Sequence, residues 1–245
     1  MTKKYYDLHI HSCLSPCGDE DNTPNNIVGM ASLGGINILA LTDHNSCKNC
    51  PAFFKAAEKY GITPIAGMEL TTSEDIHVIC LFEHLNDAMR FDKYVTEQLT
   101  EIKNKPEFFG EQSILDENDE LISTVENLLI VATSISVSDA KAIVESFGGV
   151  CYPAHIDRDS NGIIAILGTL PEDTPFDYYE LRDKDNISAF STRYNLPADR
   201  FIISSDAHYL TEISDKDAYF EFDTGCSSHQ AIRACLFEHL RRKRI

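Results

Sequence analysis

Residues 5–11 of the chain read YYDLHIH and place His9 and His11 at alternate positions of an apolar run. Successive side chains of a β-strand point to opposite faces, so these two imidazoles share one face and can chelate one ion. The loop that follows, SCLSPCGDED at residues 12–21, adds two cysteines and three acids. The start of the chain therefore predicts a strand that ends in a metal site.

Six further apolar runs, several nearly continuous in hydrophobicity, read as strands that helices cover on both faces. They span residues 36–43, 63–70, 76–82, 149–155, 177–181 and 201–208. Helical patterns separate them and are predicted at residues 23–35, 50–61, 86–105, 136–149 and 227–244. The first two open with Pro24 or Pro51 in the first turn and stop at glycine, as helices commonly do.

This alternation predicts a mostly parallel α/β fold, and seven strands favour a closed or nearly closed barrel. A doubly wound open sheet is the alternative. The stretch at residues 103–136 fits no strand-helix unit and is predicted to be an insertion or a helical excursion. No linker-like composition divides the 245 residues, which indicates a single domain over 1–245.

The charge balance is strongly acidic, with 21 Lys and Arg against 39 Asp and Glu and a formal net charge of -18. Phosphate backbones are held by clustered basic side chains, so we expect a small phosphorylated substrate rather than a long nucleic acid. No apolar run reaches the roughly 18 residues of a membrane span and the N-terminus lacks a signal-peptide pattern, so we expect no membrane partner and a cytoplasmic protein. Nothing indicates an oligomeric state.

Polar residues collect where the predicted strands end, which is where barrels build their active sites. A single histidine or acid there is more often a satisfied core residue or a helix cap than a ligand. So many together would be costly to bury without cations, which favours two or three divalent metal ions, namely zinc, manganese or iron. The candidates are His9, His11, Asp43, His44, Glu69, His77, His155, Asp206 and His208.

In their order and spacing these residues resemble the PHP (polymerase and histidinol phosphatase) family. The matching motifs are DLHIHS (7–12), LTDHN (41–45), AGMEL (66–70), DIHVICLF (75–82), PAH (153–155) and SDAH (205–208). The family usually carries a ligand Asp soon after the first motif, in a loop about three residues shorter than here. Counting back from Pro24 by the family's five-residue step selects Asp19 over Glu20 or Asp21.

The resemblance implies a distorted (β/α)7 barrel that binds up to three ions. One ion would be held by His9, His11, Glu69 and Asp206, a second by Glu69, His77 and His155, and a third by Asp19, His44 and His208. The implied activity is hydrolysis of phosphoesters by metal-activated hydroxide, with a small phosphorylated metabolite or nucleotide as substrate. Loss of Glu69 or Asp206 is expected to reduce this activity most.

Two more residues are candidates for a role in catalysis. Arg158 lies three residues after His155, and its guanidinium could bind a phosphate through two hydrogen bonds or lie exposed in a loop. Asp43 could orient or protonate a substrate, or hold His44 in place, and we favour the second role. The alternative functions are an amidohydrolase-like enzyme that cleaves C–N bonds, which would require a bridging lysine, and a metal-binding module without activity.

Eight cysteines in a chain without a signal peptide favour free thiols or metal ligands over a disulfide framework. Cys13 and Cys17 follow the first strand, and Cys47 and Cys50 follow the second. These four could be unconnected thiols, a four-cysteine zinc site or disulfides. The other four are expected to be thiols in the core.

Overall fold

In a computed structural model, which describes residues 1–171, 176–223 and 225–242, strands and helices alternate along most of the chain. The strands are β1 (Thr2–Asp7), β2 (Ile38–Leu41), β3 (Thr63–Thr71), β4 (His77–Phe82), β5 (Ser113–Leu115), β6 (Leu121–Thr124), β7 (Gly149–Pro153), β8 (Tyr179–Leu181), β9 (Phe201–Ile203) and β10 (Ala218–Phe222). The helices are α1 (Pro24–Gly34), α2 (Cys50–Tyr60), α3 (Leu85–Gln98), α4 (Pro106–Phe109), α5 (Val137–Ser146), α6 (Ile163–Leu167), α7 (Ile187–Tyr194) and α8 (His229–Arg241). The predicted α/β class is confirmed.

Six strands form one sheet in the order β10-β1-β2-β3-β4-β7, and β8 and β9 form a separate parallel pair. Strands β1, β2 and β3 are mutually parallel, but β4 is antiparallel to both β3 and β7. The connection from β3 to β4 is a tight turn in which the Thr72 N–H donates to the Ile76 carbonyl. A turn this short can join only antiparallel strands, so β4 is an exception within the predicted mostly parallel fold.

Backbone bonds beyond the regular strands curl the sheet into a half-barrel. Ile10 pairs with Ala207 in parallel, and the Ile156 N–H donates to the Glu180 carbonyl. The β8–β9 pair is thereby attached to the segments that follow β7 and β1. The strand count of seven that the family resemblance implies stays a prediction.

Helix boundaries follow local capping chemistry. At α1 the Thr23 hydroxyl accepts from the Asn26 N–H, and Gly35 at φ 77° ends the helix in the left-handed region that glycine adopts without strain. Helix α3 ends at Gln98 rather than at residue 105, because Leu99 leaves the helix to pair with Thr133.

Both faces of the central strands are buried. Leu39 and Leu41 pack in the cluster that contains Phe53 of α2, whereas Ile38 and Ala40 pack on the other face with α8. Helix α8 lies at the end of the sheet where parallel strands begin, since its His229 ring is bonded to the Thr63 hydroxyl. Residues 243–245, the end of the predicted terminal helix, lie outside the described residues. No helix within the described ranges is long and apolar enough to cross a membrane.

The stretch at residues 103–136 is mostly not helical, contrary to the predicted helical excursion. It contains the short helix α4 and the antiparallel hairpin β5–β6. Asn45 ties its end to the rest of the fold, because the Asn45 amide donates to the carbonyls of Leu129 at 2.7 Å and Val131 at 2.9 Å. The segment is therefore packed onto the loop that follows β2.

The cysteines outside the loops after β1 and β2 differ in state. Cys80 and Cys151 are buried free thiols on neighbouring strands, as expected. Cys226 and Cys235 are joined by a disulfide, so the expectation of core thiols is wrong for this pair. The two residues are nine apart in sequence, and the bond ties the segment before α8 to that helix.

Asp7 at the end of β1 should be a stabilising residue. Its buried carboxylate accepts from the backbone N–H groups of Ser205 at 3.1 Å and Ser214 at 3.2 Å. Unpaired buried donors cost roughly 1–3 kcal/mol each, so Asp7→Ala should lower the free energy of unfolding by roughly 2–4 kcal/mol in urea titrations of metal-stripped protein. Asp7→Asn keeps one acceptor oxygen and should lose less. Equal unfolding midpoints for all three proteins would contradict this assignment.

Candidate metal centre

The carboxylate of Glu69 is the centre of the site. Glu69 belongs to β3, is 1% exposed, and lies within 3.4 Å of ring nitrogens from five histidines. The nearest pairs are Nε2 of His9 at 3.4 Å, Nε2 of His11 at 3.2 Å, Nδ1 of His44 at 3.1 Å, Nδ1 of His77 at 2.8 Å and Nε2 of His155 at 3.0 Å. Side chains from four strands or their extensions thus meet at one carboxylate.

The reversed direction of β4 places one of these ligands. His77 is the first residue of β4, and because β4 is antiparallel its start lies at the same rim as the ends of β2 and β3. His44 pairs with Glu69 across that rim in a parallel bridge. A histidine at a strand start therefore reaches a site built from strand ends.

Asp206 completes the first group of ligands from the opposite side. Its Oδ1 lies 3.3 Å from Nε2 of His9 and 3.4 Å from Nε2 of His11. Asp206 has φ 55° and His155 has φ 28°, backbone values that non-glycine residues rarely adopt. Such strain collects at functional sites, where the surrounding structure holds it.

Among the residues that the structure describes, three groups of side chains have ligand atoms within 4.8 Å of one another. The first group matches the set that the resemblance implies, the second replaces His155 with His44, and the third contains Cys17 and His11 where Asp19 was expected. The groups are His9, His11, Glu69 and Asp206; His44, Glu69 and His77; and His11, Cys17, His44 and His208. These sets share members, as expected of a multinuclear centre with bridging ligands.

The donors fit divalent cations. Within the described part of the chain, Asp206 Oδ1 and His44 Nδ1 are buried without a hydrogen-bond partner. Buried polar atoms are almost always satisfied, so an unpaired carboxylate oxygen beside two imidazoles indicates a missing positive ligand. Imidazole with carboxylate is the donor set of zinc, manganese and iron.

Electrostatics keep the acids of the site ionised. Burial raises the pKa of Glu69, but His77, His9 and His44 outweigh burial and hold that pKa well below its usual range. Burial likewise raises the pKa of Asp206, and the His9 and His11 rings more than reverse the effect. Both carboxylates are therefore available to cations at neutral pH.

The histidines divide into two electrostatic classes. Burial lowers the pKa of His11, but its contacts with Asp206 and Glu69 outweigh burial and raise that pKa to about 9. Burial lowers the pKa of His208 to about 4, and the nearby His11 ring adds to this effect. Burial also lowers the pKa of His44 well below its usual value. The imidazoles of His44 and His208 are thus neutral at pH 7, the form that binds metal.

Glu180 in β8 is a functional residue that the sequence analysis missed. Its Oε1 lies 2.8 Å from Nδ1 of His9 and accepts the His155 N–H at 3.1 Å. A carboxylate on Nδ1 fixes the imidazole so that Nε2 faces the metal group. The available signal was an acid inside the otherwise apolar run YYEL, and it is fully buried.

Asp43 lies behind the ligands instead of among them. Its carboxylate accepts from the Ser12 N–H, the Ser12 hydroxyl and the Ser15 hydroxyl, each at 2.7 Å. The Ser15 oxygen lies 2.9 Å from Nδ1 of His11 and accepts the His44 N–H at 3.1 Å. Asp43 is therefore linked to the His11 ring through Ser15, whereas the expectation was that it holds His44, and its positioning role stays a prediction.

Two arginines reach the site from an open cavity of about 600 Å³. The guanidinium of Arg158 donates to Asp206 Oδ2 at 2.5 Å, and Nε of Arg182 lies 3.8 Å from the same oxygen. Arg182 was not a sequence candidate, although it directly follows the end of β8. Both side chains are more than one-third exposed, so a ligand in the cavity can contact them.

The loop after β1 places Asp19 and Cys17 differently from the expectation. Among the described residues Asp19 belongs to none of the three ligand groups, and its carboxylate accepts the Asp21 N–H at 2.9 Å. Cys17 belongs to the third group. Burial, together with the nearby Glu69 and Asp206 carboxylates, raises the pKa of the Cys17 thiol.

The remaining cysteines of the two loops do not converge on a four-cysteine site. Cys13, Cys47 and Cys50 are free thiols, and in the described ranges none of them belongs to a ligand group. Cys47 and Cys50 direct their sulfur atoms at the Gly67 carbonyl, at 3.1 and 3.7 Å. Of the alternatives left open by the sequence, unconnected thiols describe these three residues.

A curled α/β sheet with histidines and carboxylates at one rim is typical of metal-dependent hydrolases. The chain belongs to the PHP domain family, whose model matches residues 7–158. Members of this family are metal-dependent hydrolases, which include phosphoesterases and endonucleases.

Several known proteins are similar to parts or most of the chain. A 5'-3' exoribonuclease of Haemophilus influenzae is 39% identical over 84 residues, which cover 33% of this chain and 29% of that protein. A lesion-specific endonuclease Q of Pyrococcus furiosus has a TM-score of 0.57 at 18% identity, over 84% of this chain and 49% of that chain. A putative metal-dependent phosphoesterase of Bifidobacterium adolescentis has a TM-score of 0.56 at 17% identity, over 95% of this chain and 96% of that chain. The chain spans less than half the length of the curated relatives it matches.

The prediction that disfavours long nucleic acids is wrong. A further endonuclease Q structure, with a TM-score of 0.56 at 17% identity over 84% of this chain and 49% of that chain, holds a 27-mer duplex with an abasic lesion at its active site. A PHP-type fold therefore accommodates a long nucleic acid. Net charge is a poor guide because the charge that faces a substrate is local, and bound cations or arginines can supply it even in an acidic chain.

Removal of the Glu180 carboxylate should weaken the first ligand group. Loss of a carboxylate that orients a ligand histidine typically costs about 10–100-fold in metal affinity, so Glu180→Ala should lose that much zinc affinity in chelator competition. Glu180→Gln keeps an oxygen for Nδ1 of His9 and should lose less. The exposed Glu58→Ala serves as the control, and equal affinities for all four proteins would refute the role.

Proposed function

We propose that this chain is a metal-dependent phosphoesterase that hydrolyses phosphate esters of nucleotides, either free or within a nucleic acid strand. One observation carries the proposal. The ligand group around Glu69 and Asp206 lies directly beside Arg158 and Arg182, at the edge of an open cavity. Cation ligands next to guanidinium groups form a site for a tetrahedral anion.

Divalent ions bound in these groups supply positive charge for phosphate oxygens and acidify water at neutral pH. His9, His11, Glu69 and Asp206 would hold one ion, and Glu69 and His77, with His44 or His155, would hold a second. The protein's own part is to fix these donors, through Glu180 behind His9 and the Asp43–Ser15 pair behind His11. Preorganised ligands need no rearrangement when charge develops in the reaction.

The two arginines would bind the substrate phosphate from the cavity side. Arg158 bonds to Asp206 Oδ2, so its guanidinium is held next to the ligand atoms and is also open to solvent. Arg182 is held by the Ser205 carbonyl, to which its Nε donates at 3.2 Å. Guanidinium groups in this position can bind two phosphate oxygens and offset the acidic residues that line the cavity.

The nucleotide part of the proposal draws on the relatives. One sequence match is to an exoribonuclease, and the structural matches include an endonuclease that binds duplex DNA. The open cavity leaves room for a nucleotide to continue into a strand. Free nucleotides and nucleic acid strands contain the same phosphate ester, so both fit the site. Assays of the two substrate classes in parallel distinguish them.

The other functions fit the site less well. An amidohydrolase-like mechanism would require a bridging lysine, and among the described residues the ion pairs of Glu69 and Asp206 are with histidines and arginines, none with a lysine. A module without activity would not need arginines held beside a full ligand set.

Loss of a central ligand should abolish hydrolysis. With manganese, zinc or iron(II) present, Asp206→Asn and Glu69→Gln should lower kcat at least about 100-fold, because each removes a charged ligand worth several kcal/mol of transition-state stabilisation. The assay panel is bis-p-nitrophenyl phosphate, nucleoside monophosphates, 5'-labelled RNA and duplex DNA with an abasic site. The exposed His84→Ala is the control. Wild-type rates no higher than those of metal ions alone, or equal rates in the ligand variants, would refute the proposal.

Loss of Arg158 should act on substrate binding. Arg158→Ala should raise KM about tenfold or more with unchanged metal content, since one charge-assisted phosphate contact is worth roughly 1.5–3 kcal/mol. Arg158→Lys should recover only part of this binding. The matched control is Arg90→Ala. The Arg90 guanidinium pairs with Asp87 on α3. A change in metal content without a change in KM would assign Arg158 to the ligand shell instead.

A further inference from the structure

We propose that the Cys17 thiolate, together with His44 and His208, forms a third cation site that prefers zinc or iron(II) to manganese or magnesium. This inference deepens the proposed function and rests on it for the location of the site. The ligand atoms of these three residues and His11 all lie within 4.8 Å of one another. The set contains no carboxylate, unlike the two groups around Glu69.

The two histidines have a nitrogen available for this site. The His208 Nδ1 is bonded to the Asp206 carbonyl at 2.8 Å, so Nδ1 carries the proton and Nε2 keeps its lone pair for a metal. The His44 Nδ1 lies 3.1 Å from the Glu69 carboxylate and faces the second group, so the third site would use Nε2. His44 then serves the third site, and His155 can complete the second one.

The loop after β1 holds Cys17 against these rings. The Ser15 N–H donates to the Ser12 carbonyl and the Gly18 N–H donates to the Ser15 carbonyl, which makes two successive tight turns, the second of which contains Cys17. A Cβ at position 18 would collide with the Ser12 carbonyl oxygen, so the turn requires glycine. The Asp19 N–H donates to the His208 carbonyl at 3.0 Å and fastens the loop to the other ligand.

The same loop conformation directs the Asp19 carboxylate away from the role of third-site ligand. Its carboxylate closes a local turn by accepting the Asp21 N–H, and Asp19 lies in no ligand group of the described residues. The residue that the loop directs at the rings is Cys17. The lengthened loop thus exchanges an oxygen ligand for a sulfur ligand.

This exchange determines which metals the site prefers. Thiolate and imidazole are donors for zinc and iron(II), whereas manganese and magnesium prefer oxygen. The groups around Glu69 offer nitrogen and oxygen and accept either class. The protein would therefore contain one metal site that is selective for zinc or iron(II) beside two sites that accept either class of metal.

Cobalt substitution tests the sulfur ligand directly. The metal-stripped 245-residue chain reloaded with Co(II) should show thiolate-to-cobalt charge-transfer absorption in the near ultraviolet, and Cys17→Ala and Cys17→Asp should lack it. The matched control is Cys13→Ala, because Cys13 lies in the same loop, outside all three groups of the described chain, with its sulfur 3.9 Å from the Ser113 carbonyl. This control should keep the band.

Metal counting provides the second readout. In excess manganese, wild type and Cys13→Ala should retain one tightly bound zinc ion per chain by elemental analysis, and Cys17→Ala should retain none. Absence of the band in wild type, its persistence in Cys17→Ala, or equal zinc retention would overturn the inference. Neither readout requires turnover. Wild type that shows the band but hydrolyses nothing refutes only the proposed function, and wild type that hydrolyses without the band refutes only the thiolate site.

Discussion

The structure depends on one buried carboxylate. Glu69 is enclosed by the rings of five histidines, and an isolated ionised acid in such a place would be very unfavourable. Positive charge from the His9 and His11 rings, or from cations that the five histidines bind, makes its burial tolerable. The strand ends, the reversed β4 and the strained backbone at His155 and Asp206 all serve to bring donors to this carboxylate. The fold thus positions the histidines and Asp206 around the Glu69 carboxylate.

A second layer of polar residues holds that arrangement in place. Glu180 orients His9, and Asp43 orients His11 through Ser15. These contacts set which ring nitrogen faces the centre, a choice that the ligands alone do not determine. The arginines on the cavity side add charge where an anionic substrate would approach. Under the proposed function, metal binding and substrate binding would depend on different sides of the same rim.

The sequence predicted the α/β class and the family, because alternation within strands and order along the chain are local signals. The two-residue period of a strand predicted that His9 and His11 lie on the same face. The sequence could not give the direction of β4, which a short turn decides, or the role of Glu180, which is hidden inside an apolar run. In the loop after β1, counting residues favoured Asp19, whereas backbone bonds direct Cys17 at the rings. The single domain over 1–245 stays a prediction.

The central claim is that Glu69 bridges resident cations in a phosphoesterase centre. Its most direct test is a crystal structure of protein loaded with zinc and a phosphate anion, with anomalous data collected on both sides of the zinc edge. The account predicts at least two anomalous peaks at bonding distance, about 2.0–2.2 Å, from the Glu69 carboxylate, with phosphate between them and Arg158. A map without an anomalous peak bonded to Glu69 would contradict it.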